Sequence, residues 1–178
     1  MADKIRVGFI GCGGMANAHV KNMAPIAEAE LVALNDPSDT SIQRMYDKSA
    51  EFAPNIRKLP VYKDYKELLA DPNVDAVQIH SPHTVHFQQA MDALAAGKHV
   101  LLEKPMVTRT QDAHTLIDAW KKSGKYGHGT SARTRSGKSF EGPWELIAGT
   151  GRTADTVGSG TYAGTAAGTK AACCLLAV

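Results

Sequence analysis

The sequence predicts an α/β fold, a doubly wound parallel sheet with helices on both faces, and three observations predict it. Short apolar runs alternate with helical stretches from Ile5 to Gly124. The runs are mostly continuous rather than every-other-residue, as in strands buried on both faces. The first run ends in Gly11-Cys12-Gly13-Gly14-Met15-Ala16, a glycine turn that leads into a stretch able to form a helix.

Taken in order, Ile5 to Ile10 is a buried strand with Val7, Phe9 and Ile10. The helix after Gly13 carries Met15, Ala18, Met23 and Ala24 between polar positions, and Pro25 closes it. Leu31 to Leu34 is the second strand, followed by an Asn35-Asp36-Pro37 turn and a helix from Ser41 to Phe52. Val61-Tyr62 is a brief third strand. Asp64 and Glu67 then mark a helix start, an acid cap with a reciprocal acid three residues on. Ala76 to Ile79 is a fourth strand ending at His80-Ser81-Pro82. Thr84 is expected to cap the next helix, which runs to Ala96 and stops at Gly97. His99 to Leu102 is a fifth strand ending at Glu103-Lys104-Pro105. Ala113, Leu116, Ile117 and Trp120 have the spacing of one helix face, and Gly124 follows.

A length of 178 residues allows one full domain and is short for two. The expected division is a dinucleotide-binding domain over 1–128, then 129–178 as the start of a second domain or an irregular tail. From Ala148 the chain is mostly Ala, Gly and Thr, which bury little surface against the entropy of ordering. A net charge of +2 with no sustained basic stripe argues against nucleic acid as a partner. No apolar run approaches the ~20 residues of a membrane helix. The opening Met-Ala-Asp-Lys leads straight into a strand, with no secretory pattern. Cys12, Cys173 and Cys174 form no disulfide framework, so a cytoplasmic location is expected.

The glycine turn carries the chemistry. Strand, Gly11-x-Gly13-x-x-Ala16, helix, second strand and then Asp36 is the order of a dinucleotide-binding βαβ unit. Gly11 permits the tight turn, and Gly13 lets a diphosphate approach the main chain. Ala16 lets the helix pack close to the sheet. The helix start, with Cys12, Gly14 and Met15, offers N–H groups and a positive dipole end. Asp36 can accept hydrogen bonds from an adenosine ribose. Its charge would repel a 2′-phosphate, and Ser38 and Asp39 supply no arginine to receive one, so NAD is expected over NADP. Ser81, Pro82 and His83 end a central strand, at the edge where open α/β sheets bind ligands. His86 is expected in the first turn of its helix, on the nicotinamide side. His80, His83 and His86 are equally spaced, but Pro82 breaks any shared helix face and no acid or cysteine supports the set, so no metal is expected. Glu103 and Lys104 end the fifth strand beside the same crevice.

Four separated segments together resemble one family. They are Gly11 to Ala16, Asp36-Pro37, Ser81-Pro82-x-x-x-His86, and Ala96-Gly97-Lys98-His99-Val100-Leu101-Leu102-Glu103-Lys104-Pro105. They look like the Gfo/Idh/MocA family, the glucose–fructose oxidoreductase and inositol dehydrogenase type, over roughly residues 4–128. The resemblance implies a Rossmann domain followed by a larger α+β domain. It implies an NAD(P)-dependent oxidoreductase that moves hydride to or from a small polyhydroxylated substrate, a sugar or cyclitol. It implies that Lys104 reaches the reacting hydroxyl, where a cation or acid–base group lowers the barrier; a structural ion pair with an acid is the other role open to Lys104. Arg133 stands where members often have an arginine near the cofactor, and Glu145-Leu146-Ile147 resembles the helix that follows it. Members carry a substrate-facing Asp and His in the second domain, whereas no histidine follows His128 here. The expectation is therefore a truncated chain that binds nucleotide with little turnover, the alternative being a non-catalytic module or decayed remnant. Oligomeric state is left open.

Overall fold

The structure, a computed structural model, describes residues 4–125 and 127–129. Expectations for Arg133, Glu145 to Ile147, Cys173, Cys174 and the segment from 130 onward lie outside the described residues. Six parallel strands form one sheet among them: β1 (Ile5–Ile10), β2 (Ala29–Asn35), β3 (Val61–Tyr62), β4 (Ala76–Ile79), β5 (His99–Leu102) and β6 (Gly127–Gly129). Their spatial order is β3-β2-β1-β4-β5-β6. The chain winds outward from β1 to β3, then returns to lay β4 on the other side of β1. The sheet thus changes winding direction between β1 and β4, which opens a crevice at their C-terminal ends.

The helices are α1 (Gly14–Met23), α2 (Asp39–Ser49), α3 (Tyr65–Ala70), α4 (His86–Ala95) and α5 (Thr110–Ser123). They divide the core in two. Val7, Phe9 and Leu34 pack with Ala16, Val20, Ile42 and Met45 on one face. Ile10, Val77, Ile79, Val100 and Leu102 pack with Leu68, Ala90, Leu94, Leu116 and Trp120 on the other. The doubly wound sheet expected from the alternation of runs is therefore observed. Its N-terminal edge is fastened by charge. The Arg6 guanidinium clasps Asp75 at 2.7 and 2.9 Å. The buried Lys98 ammonium donates to the carbonyls of Asp71 (2.8 Å) and Val74 (2.6 Å).

Several elements differ from expectation, each for a local reason. α2 begins at Asp39 because the Ser38 hydroxyl accepts from the Ser41 N–H. Thr84 does not cap α4: Pro82 leads into a 3-10 turn over His83–Val85, and the helix starts at His86 with no side-chain cap. At α3 the Asp64 carboxylate accepts from Lys66 N–H as expected of a cap. Along α1 the buried positions are Ala16, His19, Val20 and Met23, while Met15 and Ala18 lie outside. A histidine thus occupies a core position.

β6 is a strand beyond the five expected. Gly127-His128-Gly129 has no apolar run to reveal it, yet it pairs in parallel with Val100 to Leu102. The Trp120 indole lies so close over Gly127 that a Cβ there would sit 2.1 Å from Nε1. The boundary expected at residue 128 therefore falls inside a strand.

Candidate functional site

The crevice between β1 and β4 is lined first by the glycine turn. Gly11 has φ +87, a conformation that L side chains rarely adopt. A Cβ there would lie 2.8 Å from Ser81 N and 3.0 Å from the His80 carbonyl carbon, so the turn is pressed against the end of β4. Gly13, the N-cap of α1, has an ordinary φ of −76. A Cβ at Gly13 or Gly14 would meet nothing within 4 Å, so the absence of side chains leaves main-chain N–H groups open on that side. The first turn of a helix has no internal acceptor for its N–H groups, and no acidic side chain occupies that turn of α1. Ala16 is fully buried between helix and sheet, as its small size suggests. The cradle suits an anion such as a diphosphate.

Asp36 directly follows β2 on the neighbouring side. Its Oδ2 accepts from the Cys12 N–H at 2.8 Å and its Oδ1 from the Ser38 N–H at 2.8 Å. The carboxylate is thus pinned to the glycine turn itself, with one main-chain donor on each oxygen. Each oxygen retains lone-pair capacity for hydroxyl donors. Cys12 contributes only its main chain to the crevice. Burial, then the Asp36 charge, pushes its thiol up to about 12, so it is a small buried filler and not a thiolate.

The opposite wall comes from the ends of β4 and β5. Pro82 and His83 are exposed. The Ser81 hydroxyl donates to Gln89 Oε1. His86 is fully buried, with Nδ1 2.9 Å from the Pro105 carbonyl and Nε2 2.8 Å from the Ser81 carbonyl. Both nitrogens thus face main-chain carbonyls of the two loops, and because a carbonyl only accepts, a neutral ring donates to one of them at a time. The Lys104–Pro105 peptide is cis. Two large hydrophobic side chains are exposed among the described residues, Met15 (46 %) and Val85 (39 %). Met15 lies in the first turn of α1, after β1, and Val85 just before α4, after β4.

Beneath that wall lies a polar cluster that sequence reasoning misses in part. Glu103 is buried, and its Oε1 accepts from His19 Nε2 at 2.8 Å. Its Oε2 accepts from the Lys104 N–H at 3.0 Å and from Nζ at 3.3 Å. The His19 hydrogen bond, helped by Lys104, pulls the Glu103 carboxyl down to about 2 despite burial. The Lys104 side chain pairs with Glu103 yet stays 60 % exposed, so its ammonium also faces outward. His80 packs edge-on to Phe9 and tilted against His19, with ring centroids 4.8 and 4.4 Å apart. Burial, then the neighbouring His19, pushes His80 down to about 3, which keeps its ring neutral. The one sequence signal for His19 is its spacing. It lies three residues after Ala16 and four before Met23, on the face that must be buried.

A model of the GFO_IDH_MocA oxidoreductase family, NAD-binding Rossmann fold, matches residues 5–129. Myo-inositol 2-dehydrogenase of Thermotoga maritima is 34 % identical over 119 residues, which cover 67 % of this chain and 34 % of that protein. The scyllo-inositol 2-dehydrogenase (NADP(+)) of Bacillus subtilis is 31 % identical over 120 residues, covering 67 % and 34 %. Among solved structures, the WlbA dehydrogenase of Chromobacterium violaceum, in complex with NADH and UDP-GlcNAcA, aligns with a TM-score of 0.64 at 27 % identity, covering 73 % of this chain and 36 % of that one. The 3-ketoreductase KijD10 of Actinomadura kijaniata, in complex with NADP, aligns with a TM-score of 0.62 at 27 % identity, covering 71 % and 38 %. The chain spans about a third of the length of the relatives it matches. Among the described residues no helix is long and apolar enough to cross a membrane.

Proposed function

The chain belongs to the GFO_IDH_MocA oxidoreductase family, and from that premise we propose that it binds NAD in preference to NADP and serves hydride transfer to or from a sugar or cyclitol hydroxyl. The observation that carries the cofactor choice is the pinning of Asp36 by the Cys12 and Ser38 N–H groups. A carboxylate held at both oxygens cannot swing aside, and it would face a 2′-phosphate with like charge. It presents its remaining lone pairs to vicinal ribose hydroxyls. The relatives include an NADP enzyme, so the reading rests on this chain's own Asp36 loop and not on the relatives.

In this reading Gly13 and Gly14 leave main-chain N–H groups to hold the diphosphate, and the loops after β4 and β5 flank the nicotinamide. When bound, the nicotinamide supplies the site that takes up or releases hydride. Lys104 acts on the substrate oxygen. Its ammonium offers a donor and a positive charge where alkoxide character develops. Glu103 keeps that ammonium at the end of β5. A second reading is a dinucleotide-binding module without turnover.

Fluorescence titration with NADH and NADPH, followed by a dehydrogenase assay on sugars and inositols, tests both. Tighter NADH binding supports the cofactor choice, and equal or tighter NADPH binding refutes it. Turnover abolished by Lys104→Met supports the enzyme, whereas binding with no turnover on any substrate supports the module.

A further inference from the structure

We propose that His19 is a positioning residue for Lys104, acting through Glu103, so that the helix of the glycine turn sets where the ammonium stands. The geometry is independent of the proposed function, while its consequence for hydride transfer rests on that reading. A carboxylate only accepts hydrogen bonds, so the 2.8 Å contact to Glu103 Oε1 places a proton on His19 Nε2. With Oε1 held, Oε2 is left to the Lys104 N–H at 3.0 Å and to Nζ at 3.3 Å. One carboxylate thus joins α1 to the end of β5.

The burial of the parts makes this more than a surface ion pair. His19 and Glu103 are both buried, whereas the Lys104 side chain is 60 % exposed. A lysine so exposed keeps much of its rotamer freedom unless a polar partner restrains it. Its restraint comes from Oε2, and the restraint on Oε2 comes from His19. His80 packs against the His19 ring as a neutral neighbour and makes no hydrogen bond to Glu103. The same α1 offers its first-turn N–H groups at Gly14 and Met15. His19 therefore fixes the spacing between the anion cradle and the ammonium.

The test uses the full chain. Acylation of lysines by a limiting anhydride, read by peptide mass spectrometry, reports how available Lys104 Nζ is relative to the exposed Lys48 and Lys66. His19→Ala and Glu103→Gln should each raise Lys104 labelling about threefold, because the charge-assisted contact that restrains the amine is loosened or lost. His19→Gln, which can place an amide N–H near Oε1, should return labelling toward the wild-type rate. Unchanged Lys104 labelling in either His19→Ala or Glu103→Gln, or no rescue by His19→Gln, would overturn the proposal. NADH and ADP-ribose titrations give a second readout. His19→Ala should weaken NADH about threefold and leave ADP-ribose within about twofold, since only NADH carries the nicotinamide end. Equal losses for both ligands would mean that α1 had merely loosened, and would also overturn it. A wild-type chain that binds neither ligand refutes the dinucleotide reading alone, and the labelling arm still decides the role of His19.

Discussion

Two glycines two residues apart should fail in opposite ways. Gly11→Ala forces an L side chain to φ +87 and drives its Cβ to 2.8 Å from Ser81 N and 3.0 Å from His80 C and Ser81 Cα. All three atoms are main chain, so no side chain can turn aside. A left-handed conformation costs ~1–2 kcal/mol, and crowding against a packed neighbour ~1–3 kcal/mol, a sum of ~2–5 kcal/mol. With a mid-range urea slope of ~2 kcal/mol/M, the unfolding midpoint should fall by about 1–2.5 M. Gly13→Ala meets no atom within 4 Å and keeps an ordinary φ of −76. Loss of glycine at the N-cap and the gain from a stiffer unfolded chain nearly offset, leaving stability within about 1 kcal/mol. Its Cβ stands where the diphosphate would approach, so NADH affinity should drop about tenfold or more. Urea titration by circular dichroism and NADH titration by fluorescence check the pair. The reasoning is refuted if Gly11→Ala keeps the wild-type midpoint, or if Gly13→Ala unfolds as readily and binds as well.

Asp36→Ala should weaken NADH by about 10–100-fold, the worth of charged hydrogen bonds to hydroxyls, and weaken NADPH less; paired titrations measure the ratio. Cys12 should resist alkylation by iodoacetamide at neutral pH in the folded chain and react on unfolding, because burial pushes its thiol up to about 12; site-resolved mass spectrometry separates it from Cys173 and Cys174. Glu103 is depressed in the folded state to about 2 from an ordinary 4.5, so its contribution is present above the ordinary value and is lost as pH falls from 4.5 toward 2. That contribution is at most ~3 kcal/mol, and Glu103→Gln should flatten this limb of the urea midpoint against pH. Gly127→Ala would place a methyl 2.1 Å from the Trp120 indole; it should cost ~2–4 kcal/mol and shift tryptophan emission.

The fold is legible where strands are apolar and turns are chemically marked. Val7 to Ile10, Ala76 to Ile79 and His99 to Leu102 stand out as runs, and Gly11 and Gly124 mark positions that take positive φ. β6 is not legible, because the segment has no apolar run and Gly127 answers to the closeness of Trp120 rather than to β propensity. The start of α4 is misread at Thr84 because Pro82 sets up a 3-10 turn first. In the crevice, local signals point to Asp36 and the glycines, but the attachment of Asp36 to Cys12 spans 24 positions. His19 and Glu103 are 84 positions apart, so nothing local couples them. His86 reads as a first-turn residue of its helix on the nicotinamide side, and only the folded loops reveal that two carbonyls face its nitrogens.

That imidazole has a mechanical consequence. With the Ser81 carbonyl at one nitrogen and the Pro105 carbonyl at the other, the ring is a shared block between the two crevice loops at the start of α4, and a neutral imidazole donates to one of those carbonyls at a time. A displacement that starts at either loop must be shared by the other or must break the ring's grip. A ligand that spanned the crevice and pressed on one loop would thereby load the other.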